Sequence, residues 1–361
     1  MPPLDFRYGI FSIGKREFGQ GVKGAIPPSS LAAPSFDLAD LFGNGLPDII
    51  QLNGVARYWR NRGDGTFDEP RLMKESPAGI SLGDPGVQLM DANGDGYADL
   101  VVAKPGINGR FPLNFEGSWD KDGFKSNRLA PTFSFADPEV RLLDLDGDGI
   151  TDVLRNGTRL EYFYYDPETG FGEAEQQQRT VLKGLEGLSF ADPRIKLGSM
   201  TGGLQDIVFV YQGTVQYWPN MGRGRWGKPV TMRNSPRFPN GYNPNRILIG
   251  DLDGDGLADL AFVDNNSVTI WFNQSGNQWS DPVVINGTPA VSDTDAVRLV
   301  DLNGSGIAGI LWTREAIGNS TRSNYWFLEP SGGIKPYMLE QMENNLGSRT
   351  IVEYRPSTLF Y

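Results

Sequence analysis

Neither cysteine nor histidine occurs anywhere in the 361 residues. The first absence excludes disulfides, zinc–thiolate sites and thiol nucleophiles. The second removes Ser-His-Asp and Cys-His arrangements and every histidine-ligated metal. Basic clusters are missing too. Net charge is −11, and no Lys/Arg face exists to neutralise phosphates, so nucleic acids and anionic membrane surfaces are poor partners. No run of about 18 apolar residues is present, so no membrane span is expected. Met1–Arg7 has neither a basic nor an apolar stretch of the kind that opens a secretory leader, so no cleavable signal is expected. The tail Pro356–Tyr361 does not read as a natural stop, which suggests a domain cut from a longer protein.

The chain is globular in composition, with 39% hydrophobic, 11% aromatic and 21% charged residues. That is enough apolar surface for a large core. Forty-six glycines and 25 prolines are spread evenly, which points to many turns and short strands rather than long helices.

Internal repetition is the dominant signal. Six segments place an Asp/Gly loop between two apolar strands: Asp40-LFGNGLP-Asp48, Asp91-ANGDGYA-Asp99, Asp144-LDGDGIT-Asp152, Ser199-MTGGLQ-Asp206, Asp251-LDGDGLA-Asp259 and Asp301-LNGSGIA-Gly309. Their closing positions are spaced by 50 to 54 residues. A second signature follows at nearly fixed distance. Trp59 to Phe67, Trp218 to Trp226 and Trp271 to Trp279 each run from an aromatic strand end through an Asn/Gly turn to an aromatic restart, the pattern of a hairpin. Phe163 to Phe171 and Trp326 to Ile334 are looser copies.

Each unit reads as four strands. In the third they are Val140–Leu143, Asp152–Arg155, Leu160–Tyr165 and roughly Glu173–Thr180. Four strands per roughly 50 residues, repeated radially, make an all-β propeller. Six four-stranded blades are expected, or seven if Tyr8–Phe18 builds part of another. A stacked β-solenoid is the alternative, although its repeats are usually shorter. Residues 1–33 form a lead-in able to help close the ring, 34–343 the propeller, and 344–361 a segment that leaves it.

Three loops fit D-x-[DN]-x-D-G-x-x-D: Asp91/Asn93/Asp95/Asp99, Asp144/Asp146/Asp148/Asp152 and Asp251/Asp253/Asp255/Asp259. Calcium takes six to eight hard oxygen ligands from a flexible loop. Side chains at positions 1, 3, 5 and 9, with a carbonyl at position 7, supply most of them. Glycine at position 6 permits the sharp turn. An EF-hand would need a glutamate at position 12 and flanking helices. Val102, Arg155 and Phe262 stand there, between strand-like flanks. Closure by Asp at position 9 is instead the FG-GAP or integrin-like arrangement. Two readings stand: structural Ca2+ in up to three loops, or Asp/Asn turns that bond local amides without metal. The remaining loops are worn. Phe42 takes position 3 in the first, Ser305 and Gly309 take positions 5 and 9 in the last, and the fourth keeps only Asp206.

Val215–Pro229, Asp251–Leu260 and Asp301–Trp312 resemble the SpvB-like signature of the B components of bacterial Tc insecticidal toxins, whose propellers carry FG-GAP or VCBS repeats. The most specific part is Lys335–Leu339, followed by Asn344–Ser348 and Tyr354–Thr358. The resemblance runs over roughly residues 34–361. It implies a non-enzymatic propeller that docks on the A-component translocation channel and gates passage of the toxic effector. In a full-length protein it implies the C component as a second partner, and an Rhs-type shell beyond residue 344. It further implies a host-directed, secreted complex, with the isolated domain monomeric.

Rival readings are weaker. A glycosidase needs two acids at the right separation, and the obvious acids already sit in loops. Ser118–Phe124 only faintly matches a sialidase Asp box. A carbohydrate- or cell-surface-binding propeller, whether a lectin or an integrin-like adhesion module, would stack sugars on Trp59, Trp218, Trp271 and Trp326. Repeated aromatics of this kind more often pack between blades. For a docking face the longer connections Ile107–Asn127, Asn234–Asn245 and Arg314–Asn324 are candidates. No individual binding residue is assigned.

Overall fold

The computed structural model describes residues 3–18, 22–317, 323–355 and 357–360. Among them the chain is all-β, apart from four short 3-10 turns. Six four-stranded antiparallel sheets follow one another along the sequence. The first comprises Phe36–Ala39, Asp48–Leu52, Ala56–Trp59 and Arg71–Leu72. The second comprises Val87–Met90, Asp99–Lys104, Ile107–Phe111 and Lys125–Ser126. The third comprises Val140–Leu143, Asp152–Asn156, Leu160–Phe163 and Glu175–Gln177, close to the strands read from sequence. Ile195–Gly198, Asp206–Tyr211, Thr214–Trp218 and Val230–Thr231 make the fourth. Ile247–Gly250, Asp259–Asp264, Ser267–Trp271 and Val283–Asn286 make the fifth.

The sixth sheet shows how the ring closes. Ala296–Val300, Gly309–Thr313 and Tyr325–Glu329 supply three strands, and Glu17–Phe18 from the other end of the chain supplies the fourth. No seventh four-stranded sheet occurs among the described residues. The lead-in divides instead. Asp5–Tyr8 joins Leu339–Glu343 and Arg349–Ile351 in a separate three-stranded sheet, so the chain leaves the six sheets after Glu329.

The core is correspondingly divided into six clusters, each spanning two neighbouring sheets. Ile50, Val102 and Trp119 join the first to the second, and Val101 and Phe163 the second to the third. Leu154 and Ile207 join the third to the fourth, and Val208 and Leu260 the fourth to the fifth. Ala261 and Trp312 join the fifth to the sixth. In the last cluster Ile49 and Trp59 of the first sheet pack with Leu311 and Tyr325 of the sixth, so the sequence of interfaces returns to its start. Burying a large apolar side chain contributes about 1.5–3 kcal/mol, and this is distributed around the ring. The first strands of adjacent sheets crowd together, as they must near a propeller axis. A Cβ on Gly198 would collide with Ile249, and one on Gly250 with Leu299.

The repeated aromatics are core. Trp59, Trp218 and Trp271 are buried, as are Trp119, Trp279 and Trp312. Trp326 is half-buried, with the Arg314 guanidinium 5.4 Å from its ring centre. The aromatic hairpins form as bridges pairing Asn61 with Phe67 and Asn220 with Trp226, and as strands pairing Tyr165 with Phe171 and Asn273 with Trp279. Leu113 with Trp119 is a fifth copy. The Asp-box-like stretch is therefore the aromatic restart of the second sheet. Ile107–Asn127 is likewise not an inter-sheet connection, because it carries that sheet's third and fourth strands.

Candidate metal centres

Each Asp/Gly loop joins the first strand of a sheet to the second, so all six lie at one end of the ring. Gly96, Gly149 and Gly256, at position 6, have φ of 84°, 85° and 85°. This left-handed backbone is accessible to glycine without strain.

The aspartate at position 1 shapes the loop. In the Asp144 loop its Oδ1 accepts from the N–H of Gly147 at 2.6 Å and its Oδ2 from that of Gly149 at 3.0 Å. Asp91 and Asp251 do the same with Gly94/Gly96 and Gly254/Gly256. At position 5, Asp95, Asp148 and Asp255 each accept from the amide two residues on, at 2.8–2.9 Å. The turn chemistry read from sequence is thus present in all three loops.

Position 9 does something the sequence reading missed. In the third sheet Asp152 Oδ2 accepts from Leu145 N–H at 3.1 Å, inside the loop, and Oδ1 from Tyr165 N–H at 2.9 Å, in the aromatic hairpin. Asp48 bridges Leu41 and Asn61 in the same way, Asp206 bridges Met200 and Asn220, and Asp259 bridges Leu252 and Asn273. Asp99 holds Leu113. The hairpin partner always lies two residues past the aromatic end of the third strand, a constant offset that was the available signal. The aspartate is therefore a clamp between loop and hairpin, kept even where the loop has lost its other acids. Only the sixth sheet lacks it. Gly309 stands there, and a side chain would collide with the Phe327 ring.

Burial sets the electrostatics. Desolvation pushes the carboxyls of Asp48 and Asp152 up to about 7 and that of Asp99 up to about 6, against the backbone hydrogen bonds that favour the charge. Asp259, fully buried, is raised well above the ordinary carboxylate range, first by desolvation and then by the Asp253 charge. Asp253 itself is pushed up to about 6 by burial and by Asp255.

The three sequence-predicted sites diverge. Asp144, Asp146 and Asp152 bring carboxylate oxygens within 4.8 Å of one another, and so do Asp251, Asp253 and Asp259. Asp148 and Asp255 stand outside these groups, held by their turn bonds. In the first group Asp146 Oδ1 is buried with no hydrogen-bond partner, an unsatisfied acceptor of the kind a hard cation would relieve. In the second, Tyr337 O–H reaches Asp253 Oδ2 at 3.3 Å from the segment that leaves the ring. The carboxylates of Asp91, Asp95 and Asp99 form no such group among the described residues. The amide of Asn93 donates to Asp95 at 2.8 Å, and Arg110 Nε lies 3.5 Å from the buried Asp99 Oδ2. The second sheet thus supplies its own cation to position 9. The acidic groups at Asp144 and Asp251 fit a hard divalent cation.

The FG-GAP-like repeat family matches residues 40–102, 203–262 and 251–312. Among solved structures, the whole chain aligns with a chain of the Photorhabdus luminescens Tc holotoxin pore at 26% identity and a TM-score of 0.81, covering 17% of that chain. It aligns with the TcdB2-TccC3 crystal structure lacking the hypervariable C-terminal region at 26% identity and a TM-score of 0.61, again covering 17% of that chain. The chain therefore spans about a sixth of the length of these relatives. A lectin of Agrocybe aegerita, described as recognising non-reducing terminal N-acetylglucosamine, shares the fold at 18% identity and a TM-score of 0.56, over 84% of this chain and 83% of its own. No curated protein matches. The resemblance to the propeller of Tc toxin B components read from the sequence is borne out.

Proposed function

From an FG-GAP-type β-propeller similar to a region of Tc toxin chains, we propose that this protein is a non-enzymatic docking and gating module of a secreted toxin complex. It binds the A-component channel and controls passage of the effector carried with the C component. One observation carries this reading: a match over 100% of the chain at a TM-score of 0.81 to a chain of a Tc holotoxin pore. The ring supports it physically. Six shared interfaces make a stiff body that presents loops at both ends, the geometry suited to a broad docking face. Of the three connections singled out in the sequence, Asn234–Asn245 joins two sheets and Arg314–Asn324 joins two strands of the sixth sheet, with residues 318–322 outside the described ones.

Ca2+ at the Asp144 and Asp251 loops belongs to the same proposal. Asp144, Asp146 and Asp152 would hold one ion, and Asp251, Asp253 and Asp259 the other. Each ion would offset repulsion among the clustered carboxylates and fix the end of the ring on which the exit segment rests. In the Asp91 loop Arg110 already plays part of that role.

Docking is tested by pull-down of the purified chain with a cognate A component, in calcium and in excess chelator. Retention on the A component is expected. Absence of retention in both conditions, with the chain folded, would overturn the docking reading.

A further inference from the structure

The end of the ring opposite the acid loops carries a recess of about 290 Å³ at the fifth sheet, between the connections that enter and leave it. Its walls come from the connection that leads into Ile247–Gly250, from Phe262 and Asp264 near the end of the next strand, and from Asp293 in the following connection. We propose that this recess is a binding site for a terminal, uncharged sugar unit of a glycan.

The first argument is local departure from the repeat. In four sheets the turn leading into the first strand has the form Ser-x-x-Asp, and its aspartate is closed off by a cation. Asp84 pairs with Lys104 at 2.7 Å, Asp137 with Arg155 at 3.3 Å, Asp192 with Arg194 at 2.6 Å and Asp295 with Arg314 at 2.6 Å. The fifth sheet has Asn243-Pro244-Asn245-Arg246 instead. Here Arg246 lies loosely between two aspartates, 3.9 Å from Asp264 and 3.4 Å from Asp293. Asn243 donates to Asp293 at 3.1 Å. Arg246 also donates to Val291 O at 3.3 Å, so its guanidinium is shared among three acceptors rather than locked in one tight pair, and its Nε has no partner among the described residues.

The second argument is chemical class. Two carboxylates and one guanidinium leave the recess with a net negative charge, which disfavours phosphate, sulfate or sialic acid. Planar carboxylate, amide and guanidinium groups offer acceptors and donors side by side, matching adjacent hydroxyls. One wall is aromatic. Tyr242 packs 4.7 Å from Phe238 and 6.2 Å from Phe262 between ring centres, which fixes its orientation for stacking on a sugar face. The volume is at the low end for small-molecule sites, so one ring fits and a longer ligand would project outward. This surface is separate from the acid loops and does not rest on the docking reading.

The test is a glycan array probed with the 361-residue chain, followed by titration of the best binder. Binding to neutral terminal sugars is expected, unchanged by chelator and at least tenfold weaker in Asp293→Ala. The Asp293 side chain is 79% exposed, so that variant should melt like the parent. Tyr242→Ala should lose binding as well. No neutral glycan bound at millimolar concentration, or binding that Asp293→Ala leaves intact, would overturn the assignment.

Discussion

The backbone N–H of Asn220 donates to Oδ1 of Asp206 at 2.7 Å, in an acid loop that keeps no other acid. The second oxygen of Asp206 accepts from Met200 at 3.0 Å. Two roles that coincide in the intact loops, framework and candidate ligand, are therefore separable here, and the framework role is the one retained.

Asp206→Ala strands two backbone donors at a buried position, and an unsatisfied buried donor costs about 1–3 kcal/mol. A loss of about 3 kcal/mol is expected, read as a lower melting temperature or denaturant midpoint. The loss should be equal in calcium and in chelator. A loss seen only in calcium would mean that Asp206 acts through a metal and that the clamp is secondary.

Calcium should raise the melting temperature of the parent chain, because a ligand bound only by the folded state stabilises it, by about 2.7 kcal/mol per site at 100 times its Kd. Asp146→Ala and Asp253→Ala should each remove part of that response, and the double variant all of it. Asp95→Ala should leave the response intact, since its loop gathers no carboxylate group. Identical melting of the parent in calcium and excess chelator would leave the loops as plain turns.

Acidity should stabilise the metal-free protein. The Asp48 carboxyl rises from an ordinary 3.8 to about 7 on folding, because burial opposes its charge. The folded state then binds more protons than the unfolded state between those values. That contribution is fully present below pH 3.8 and is lost as pH rises through about 7, at up to about 1.4 kcal/mol per pH unit for one group. Asp99 and Asp152 shift in the same direction. Asp84, Asp166, Asp192 and Asp295 shift downward and act below this window. In chelator, melting temperature should fall from pH 5 to pH 8, and less steeply in Asp48→Asn. A flat or rising profile would count against the raised values.

The propeller was legible because its signal is periodic. Closing positions at 48, 99, 152, 206, 259 and 309 recur in register with the second strand of every sheet. The site was less legible because one residue type serves two purposes. Asp99 matches the loop pattern as well as Asp152 does, yet Arg110, paired with Val101 on the adjacent strand, reaches its carboxylate, a placement that depends on strand pairing no local motif encodes. The same holds for the recess near Arg246. Asn243 and Asp293 are 50 residues apart and meet only because adjacent sheets pack side by side. Ring closure was foreseen only as one of two outcomes, since a two-residue strand such as Glu17–Phe18 carries almost no periodicity.

That closing strand yields the last expectation. Phe18 pairs with Leu328 and sets its ring 6.2 Å from Trp312, edge-on. Removing residues 1–18 takes away the strand partners of Leu328 and Glu329, although Val22 N–H still donates to Tyr325, and strips one face of the sixth sheet. Amide exchange in 325–329 should accelerate strongly in the truncated chain, while the inner strands of the third sheet, on the far side of the ring, keep their protection. Phe18→Ala isolates the packing from the pairing. Phe18 is only half-buried, so a loss of about 2 kcal/mol is expected, below the usual cost for a fully buried phenylalanine. If exchange at 325–329 is unchanged by the truncation, the ring is held closed by the Trp59–Tyr325 cluster alone, and the amino-terminal strand is dispensable.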